Sequence, residues 1–275
     1  MRTYQIASKA DGERLAEALV RATKLDAPVV EKMLAFGAVQ LRFRGKGPWE
    51  RVRDGRLKLH PQDQVRTAYD PKVLAFKAFD NAQSVYENKN YGVWIKPAGV
   101  MSQGTDAGDH VSLLYAIEKT GKKPFPVHRL DRETEGLTVV AYTPKAAAAL
   151  SQLFQEYRIQ KTYWAIVTGE LANLNEQGLI DHDLDGKSAQ TRYRILKRLP
   201  ENRLLMEAAP LTGRLHQIRR HFDLLECPVL GDPKYGRGNK NRDGMKLAAV
   251  GLVFMDPIEK VQRKWSYEPE WAALN

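Results

Sequence analysis

Residues 128–142 limit the fold more than any other stretch. His128-Arg129-Leu130-Asp131-Arg132-Glu133-Thr134-Glu135-Gly136 is dense in charge, and Leu137-Thr138-Val139-Val140-Ala141-Tyr142 directly follows it. The second segment has the β-branched and aromatic composition of a strand interior. The charged residues must therefore form a loop that feeds a buried strand, and loops braced by a sheet are common places for chemistry. Asp131 lies between Arg129 and Arg132. A carboxylate held by arginine serves as a nucleophile or a base, and the same pattern also builds a structural salt bridge.

The flanking sequence supports a sheet around this loop. Ser84–Asn88 and Gly92–Ile95 read as paired strands, and Lys96-Pro97-Ala98-Gly99 then breaks the pattern. Residues 111–120 suit a helix. Pro144 to Tyr157 is a second one, opened by proline and carrying Leu150, Leu153 and Phe154 as a core stripe. Lys161–Val167 alternates as a strand with Tyr163 and Trp164 on opposite faces. Strands are expected at 179–184, 188–196 and 203–208. Thr212 is expected to cap a helix whose apolar face is Ile218, Phe222 and Leu225. Pro228–Gly236 reads as an exposed turn, and Arg237–Lys246 as a flexible basic loop.

The first seventy residues form a small basic unit. Helices are expected after Asp11-Gly12-Glu13 and over Pro28–Phe36, with strands at Val39–Phe43 and Arg56–His60 and a linker at Asp70–Lys72. Through Lys72 there are 15 Lys+Arg against 9 Asp+Glu, so this unit carries six of the chain's net +10 charges. Seven of its cations fall between Arg42 and Lys58, forming either a solvated loop or a phosphate-contacting surface.

That charge favours a polyanionic partner, nucleic acid before membrane. A lone cysteine, Cys227, excludes an internal disulfide or a multi-cysteine zinc site and reads as a core residue. His216 and His221 stand five apart, a poor spacing for two ligands on one helix face, and no Walker or dinucleotide-binding glycine pattern occurs. No cofactor and no metal are expected. No apolar run approaches the roughly 20 residues that cross a bilayer, and Met1-Arg2-Thr3-Tyr4-Gln5 lacks an apolar signal core. The expectation is a cytoplasmic monomer without membrane or nucleotide partners.

Five blocks then fall in one order: Lys96-Pro97-Ala98-Gly99, His128-Arg129-Leu130-Asp131 with Thr134 and Gly136, Lys161-Thr162-Tyr163-Trp164-Ala165, Thr212-Gly213-Arg214-Leu215-His216-Gln217-Ile218-Arg219-Arg220-His221, and Pro228-Val229-Leu230-Gly231-Asp232. Together they resemble the RluA family of pseudouridine synthases, over residues 84–257. The resemblance implies an α+β protein. Its catalytic domain, residues 73–275, would be a mixed, mostly antiparallel β-sheet with flanking helices and a central cleft. Residues 1–72 resemble the alpha-L RNA-binding module, here with Arg44-Gly45-Lys46-Gly47-Pro48-Trp49 in place of a short Asn-Gly turn.

The implied activity is isomerisation of uridine to pseudouridine in ribosomal or transfer RNA, without cofactor. Asp131 matches the family's catalytic aspartate, Tyr163 the tyrosine under the target base and Arg219 the aspartate's partner. Arg129 matches the arginine that fills the space left by the flipped base. His128, Thr134, Lys161, Arg214, His216, Gln217 and Lys96 are the further substrate-binding candidates. One position departs from the pattern: Glu135 stands where the family carries a small residue such as serine, and an added carboxylate there is expected to repel phosphate or disturb the loop. Two rival readings are a catalytically silent RNA-binding protein on the same fold, and a glycosidase pairing Asp131 with Glu133 or Glu135.

Overall fold

The computed structural model describes residues 1–8, 11–171, 174–236, 238–239 and 241–273. The chain divides into two compact units, one of residues 1–81 with 103–121, the other of 82–102 with 122–275.

In the first unit, β1 (Arg2–Ala7), β2 (Val39–Arg42), β3 (Glu50–Arg51) and β4 (Gln64–Tyr69) form an antiparallel sheet in the order β1-β4-β2-β3. Helices α1 (Leu15–Thr23) and α2 (Ala27–Ala35) bury Leu15, Leu19, Val30, Met33 and Leu34 against Val39, Leu41 and Val65. The strand expected at 56–60 is not one. Leu57 and Leu59 do alternate inward, but their backbones bond to the turn before α1, through Leu15 N to Leu57 O and Leu59 N to Glu13 O. The strand that follows Pro61-Gln62-Asp63 instead occupies 64–69.

Asp70–Lys72 is not a linker. The Asp70 carboxylate accepts from Lys72 N and caps α3 (Pro71–Ala75), whose Leu74 joins the same core. The compact unit thus runs past the boundary expected at 72. It also takes in residues 103–121 with α4 (Leu113–Lys119), because Asp109 binds Arg51 and Arg53.

The second unit is built on a ten-stranded sheet. Its strands are β5 (Gln83–Glu87), β6 (Tyr91–Lys96), β7 (Phe125–Pro126), β8 (Glu135–Ala141), β9 (Gln160–Thr168), β10 (Gln177–Asp181), β11 (Gln190–Leu199), β12 (Arg203–Pro210), β13 (Leu247–Met255) and β14 (Gln262–Ser266). The order is β10-β11-β12-β9-β13-β8-β6-β5, with β14 on β13 and β7 on β8. Every pairing is antiparallel except β13 with β8. This is the mixed, mostly antiparallel sheet that the resemblance implies.

The parallel step positions the charged loop. Gly136 has φ +112°, and a Cβ there would lie 2.3 Å from Ala249 O, so only glycine lets the loop enter β8 this close to β13. Helix α5 (Pro144–Gln155) is capped by Thr143 and buries Ala146, Leu150 and Leu153 on one side of β8. Helix α6 (Gln217–Leu224) packs Ile218 and Phe222 into a core with Ala165, Val167 and Met206, and Cys227 is buried there. A short last helix, α7 (Glu270–Ala273), follows β14.

Candidate active site

The loop of residues 127–134, the cavity-facing side of α5, the start of β9 and the turn into α6 enclose a cavity of about 680 Å³. It is lined by Asp131, Arg129, His128, Thr134, Lys161, Tyr163, Arg214, His216, Gln217 and Arg219. Of the eleven site residues expected from the sequence, ten meet here.

At the cavity wall one guanidinium serves two acids. Arg219 donates from Nη1 to Asp131 Oδ2 at 3.0 Å, and from Nε and Nη2 to the two oxygens of Asp232 at 2.7 and 2.8 Å. The Arg219 side chain is 3% exposed and that of Asp232 is fully buried, whereas Asp131 remains 19% exposed. Burial alone would raise the Asp232 carboxyl, but the Arg219 contact and N–H groups of Lys234 and Tyr235 outweigh it and hold it below the usual range. Burial likewise opposes the charge on Arg219, and its two carboxylates more than compensate, so its pKa is raised. Asp131 is thus presented by an arginine that is itself locked from behind.

Asp232 was the functional partner that sequence reasoning left unassigned. Pro228–Gly236 was expected to be exposed, but Val229, Leu230 and Asp232 are buried. The signal was its place in the fifth block, two residues before backbone N–H groups free to orient a carboxylate. Arg237 and Lys240 of the expected flexible loop lie outside the described residues. Asn239 beside them is held by Gly231 N at 3.0 Å.

The other expected residues divide into two groups. Tyr163 faces the cavity. Burial first, and the charge of Asp131 second, raise its phenol well above its ordinary value, so it is present as the protonated phenol. His216 places Nε2 3.7 Å from Asp131 Oδ2 and shares a hydrogen bond between Nδ1 and Tyr235 Oη at 3.1 Å. Burial lowers its pKa, with Asp131 opposing and Arg219 and Lys234 assisting. Lys161 is also lowered by burial. Arg129 is exposed at the rim, and Arg214 donates from Nε to Ser188 O.

Four residues are committed to the scaffold. His128 stacks on Phe154 and accepts at Nε2 from Val139 N at 2.9 Å; burial, and secondarily Lys161, push it down to about 3. Gln217 accepts at Oε1 from Thr212 Oγ1 and Arg214 N, and donates to Gln190 O and Thr191 Oγ1. Thr212 therefore ties down the turn rather than capping the helix; His216, at φ +54°, is the residue before α6. Lys96 is absent from the cavity lining. It is fully buried, and its ammonium donates to Pro97 O, Val100 O and Arg132 O at 2.9, 2.6 and 3.1 Å. Its placement corrects the expectation of substrate contact: it clips the Pro97–Val100 turn to the Asp131 loop. Thr134 is 3% exposed, and its N–H donates to Asp131 O at 3.2 Å.

Glu135 does not disturb the loop. Its carboxylate accepts from Tyr267 Oη at 3.1 Å and from Trp271 Nε1. Neither Glu133 nor Glu135 lines the cavity, so the carboxylate pair of a glycosidase is not assembled there.

Known proteins resemble this chain in sequence and fold. The RNA pseudouridylate synthase family matches residues 90–224. The ribosomal large subunit pseudouridine synthase C of Rickettsia bellii is 34% identical over 188 residues, which span 61% of each chain. The tRNA pseudouridine synthase C of Vibrio parahaemolyticus is 30% identical over 229 residues, 69% of this chain and 92% of that one. The solved structure of human RNA pseudouridylate synthase domain containing 1 shares the fold at a TM-score of 0.61 and 24% identity, covering 71% of this chain and 87% of that one. The chain belongs to the RNA pseudouridylate synthase family, the broader class of the RluA-type enzymes that its five blocks resemble.

Proposed function

We propose that this protein converts uridine in structured ribosomal or transfer RNA to pseudouridine, with Asp131 as the reacting carboxylate. The observation that carries the reading is the Asp232–Arg219–Asp131 chain, which ends in the one carboxylate of the three groups left open to a cavity. That cavity is in the size range of small-ligand clefts, enough for an extruded nucleotide. In the reaction the bond from N1 to the ribose carbon breaks, the uracil turns, and a bond from C5 to the same carbon forms. The C5 proton leaves and N1 gains one, so the product is an isomer and no oxidant or reductant is needed. Asp131 acts on the ribose side, as nucleophile or base. Tyr163 supplies an aromatic face and a hydroxyl beside the detached ring. Arg219 keeps Asp131 aimed, and Arg129 occupies the gap the base leaves.

Among the described residues, no helix is long and apolar enough to cross a membrane, and the enzyme is proposed to act as a cytoplasmic monomer. The first unit is proposed to add RNA contact through Arg44, Lys46 and Lys58, which are exposed, whereas Arg51 and Arg53 are bound to Asp109. Release of tritium from RNA labelled at uracil C5 tests the reading. Release that depends on the enzyme is expected with total RNA from cells lacking the gene. Tight RNA binding without any release would instead mark a silent binding protein.

A further inference from the structure

Two exposed apolar side chains stand at the mouth of the cavity. Tyr157 lies just beyond α5, at φ +55° and 45% exposed; Leu215 lies in the opposite wall, 59% exposed. Of the exposed large hydrophobic residues described, only these two line the cavity. The walls approach at this point, since a Cβ on Gly213 would lie 3.7 Å from Tyr157 Cε1. Isolated surface hydrophobics are ordinary. Here, however, the pair lines the same cavity as Arg129, Arg214 and Lys161. Cations beside apolar or aromatic surface match a polynucleotide, which offers both phosphates and base faces.

We propose that Tyr157 and Leu215 form an apolar lip that packs against the bases flanking the extruded uridine and helps decide which RNA the cavity accepts. The inference rests on the isomerase reading. Extruding a base costs unstacking energy on both sides, and an inserted apolar side chain compensates for part of it. A tyrosine on one wall and a leucine on the other provide a surface for each neighbour. Their flanking arginines reach the phosphates on either side.

The test uses the full chain and total RNA labelled with tritium at uracil C5, from cells in which the gene is deleted, over a range of RNA concentrations. Tyr157→Ser combined with Leu215→Ser is expected to raise the apparent KM about tenfold, with a smaller loss of kcat. Tyr157→Phe is expected to keep the wild-type KM, because the ring and not the hydroxyl is used. Both positions are exposed, so the melting temperature should be unchanged. An apparent KM within about twofold of wild type in the double variant, or a loss confined to kcat, overturns the lip. If the wild-type protein releases no tritium, the isomerase reading itself has failed, an outcome distinct from an active enzyme indifferent to the two substitutions.

Discussion

Each unit of this protein holds a cluster of arginine and aspartate, and the two are built in opposite proportion. In the first unit one acid serves two cations: Asp109 Oδ2 lies 2.7 Å from Arg53 and 3.4 Å from Arg51. Its other oxygen faces Gly37, where even a Cβ would come within 2.5 Å. In the second unit one cation serves two acids, Asp232 fully and Asp131 by a single hydrogen bond. A carboxylate shared by two arginines in a closed site has no access to a ligand. A carboxylate that holds only part of an arginine, at a cavity wall, has both an aim and an open face. Both clusters use the same two residue types, so reactivity is decided by stoichiometry and space.

The strongest test of this contrast is Asp131→Asn. It removes the charge and keeps the shape, so tritium release is expected to fall by about a thousandfold or more, while RNA affinity measured by filter binding changes little. Turnover at the wild-type rate would show that the open carboxylate is not the reacting one. Next comes Arg219→Ala. It leaves the buried Asp232 uncompensated and Asp131 unaimed, so a loss of about 3–5 kcal/mol in urea unfolding is expected together with a large loss of turnover. Stability unchanged within error would mean that the triad is not the closed cluster described.

Much of this site was legible in the residues. Tyr163 is placed by strand alternation, and Gly136 marks the entry into β8. Ten of the eleven candidate residues converge because five blocks bring them together in sequence order. What was not legible has physical causes. Lys96 sits in a motif beside the site, yet backbone carbonyls capture its ammonium, and nothing in a linear pattern announces three carbonyls converging on one buried nitrogen. Glu135 looked disruptive because its partners, Tyr267 and Trp271, lie more than 130 positions away. Asp232 was hidden because a Gly-Asp-Pro turn has the composition of solvent-exposed chain even when its carboxylate is buried. In the first unit, Leu57 and Leu59 show the period of a strand, but alternation reports which side chains are buried, not which backbone groups pair.

The comparison predicts a smaller, separable effect in the other cluster. Asp109→Asn weakens its bonds to Arg51 and Arg53, whose side chains are 28% and 26% exposed. A loss of about 1–3 kcal/mol in the stability of the first unit is expected, read by urea unfolding followed at Trp49 or by hydrogen exchange. The rate constant for the isomerisation step at saturating RNA should not change, because this acid does not line the cavity that holds Asp131. A parallel fall in that rate constant would erase the distinction between the two clusters.

The last effect, read through its pH dependence, concerns Lys96, the cation that holds the Asp131 loop from behind. Burial first, against the pull of Glu133, Asp131 and Glu135, lowers its pKa to about 7 in the folded protein. An unfolded lysine titrates near 10.4, so between these values the unfolded chain binds more protons than the folded one, and stability rises with pH. Over pH 7 to about 9, below the range of the buried tyrosines, a gain of no more than about 2–3 kcal/mol is available from this group. Lys96→Met is expected to lower stability at every pH, because three carbonyls lose their donor, and also to flatten this rise. If the slope survives in the variant, another group supplies it, and the ammonium of Lys96 is held in its charged form by the carbonyls of Pro97, Val100 and Arg132 more firmly than burial expels it.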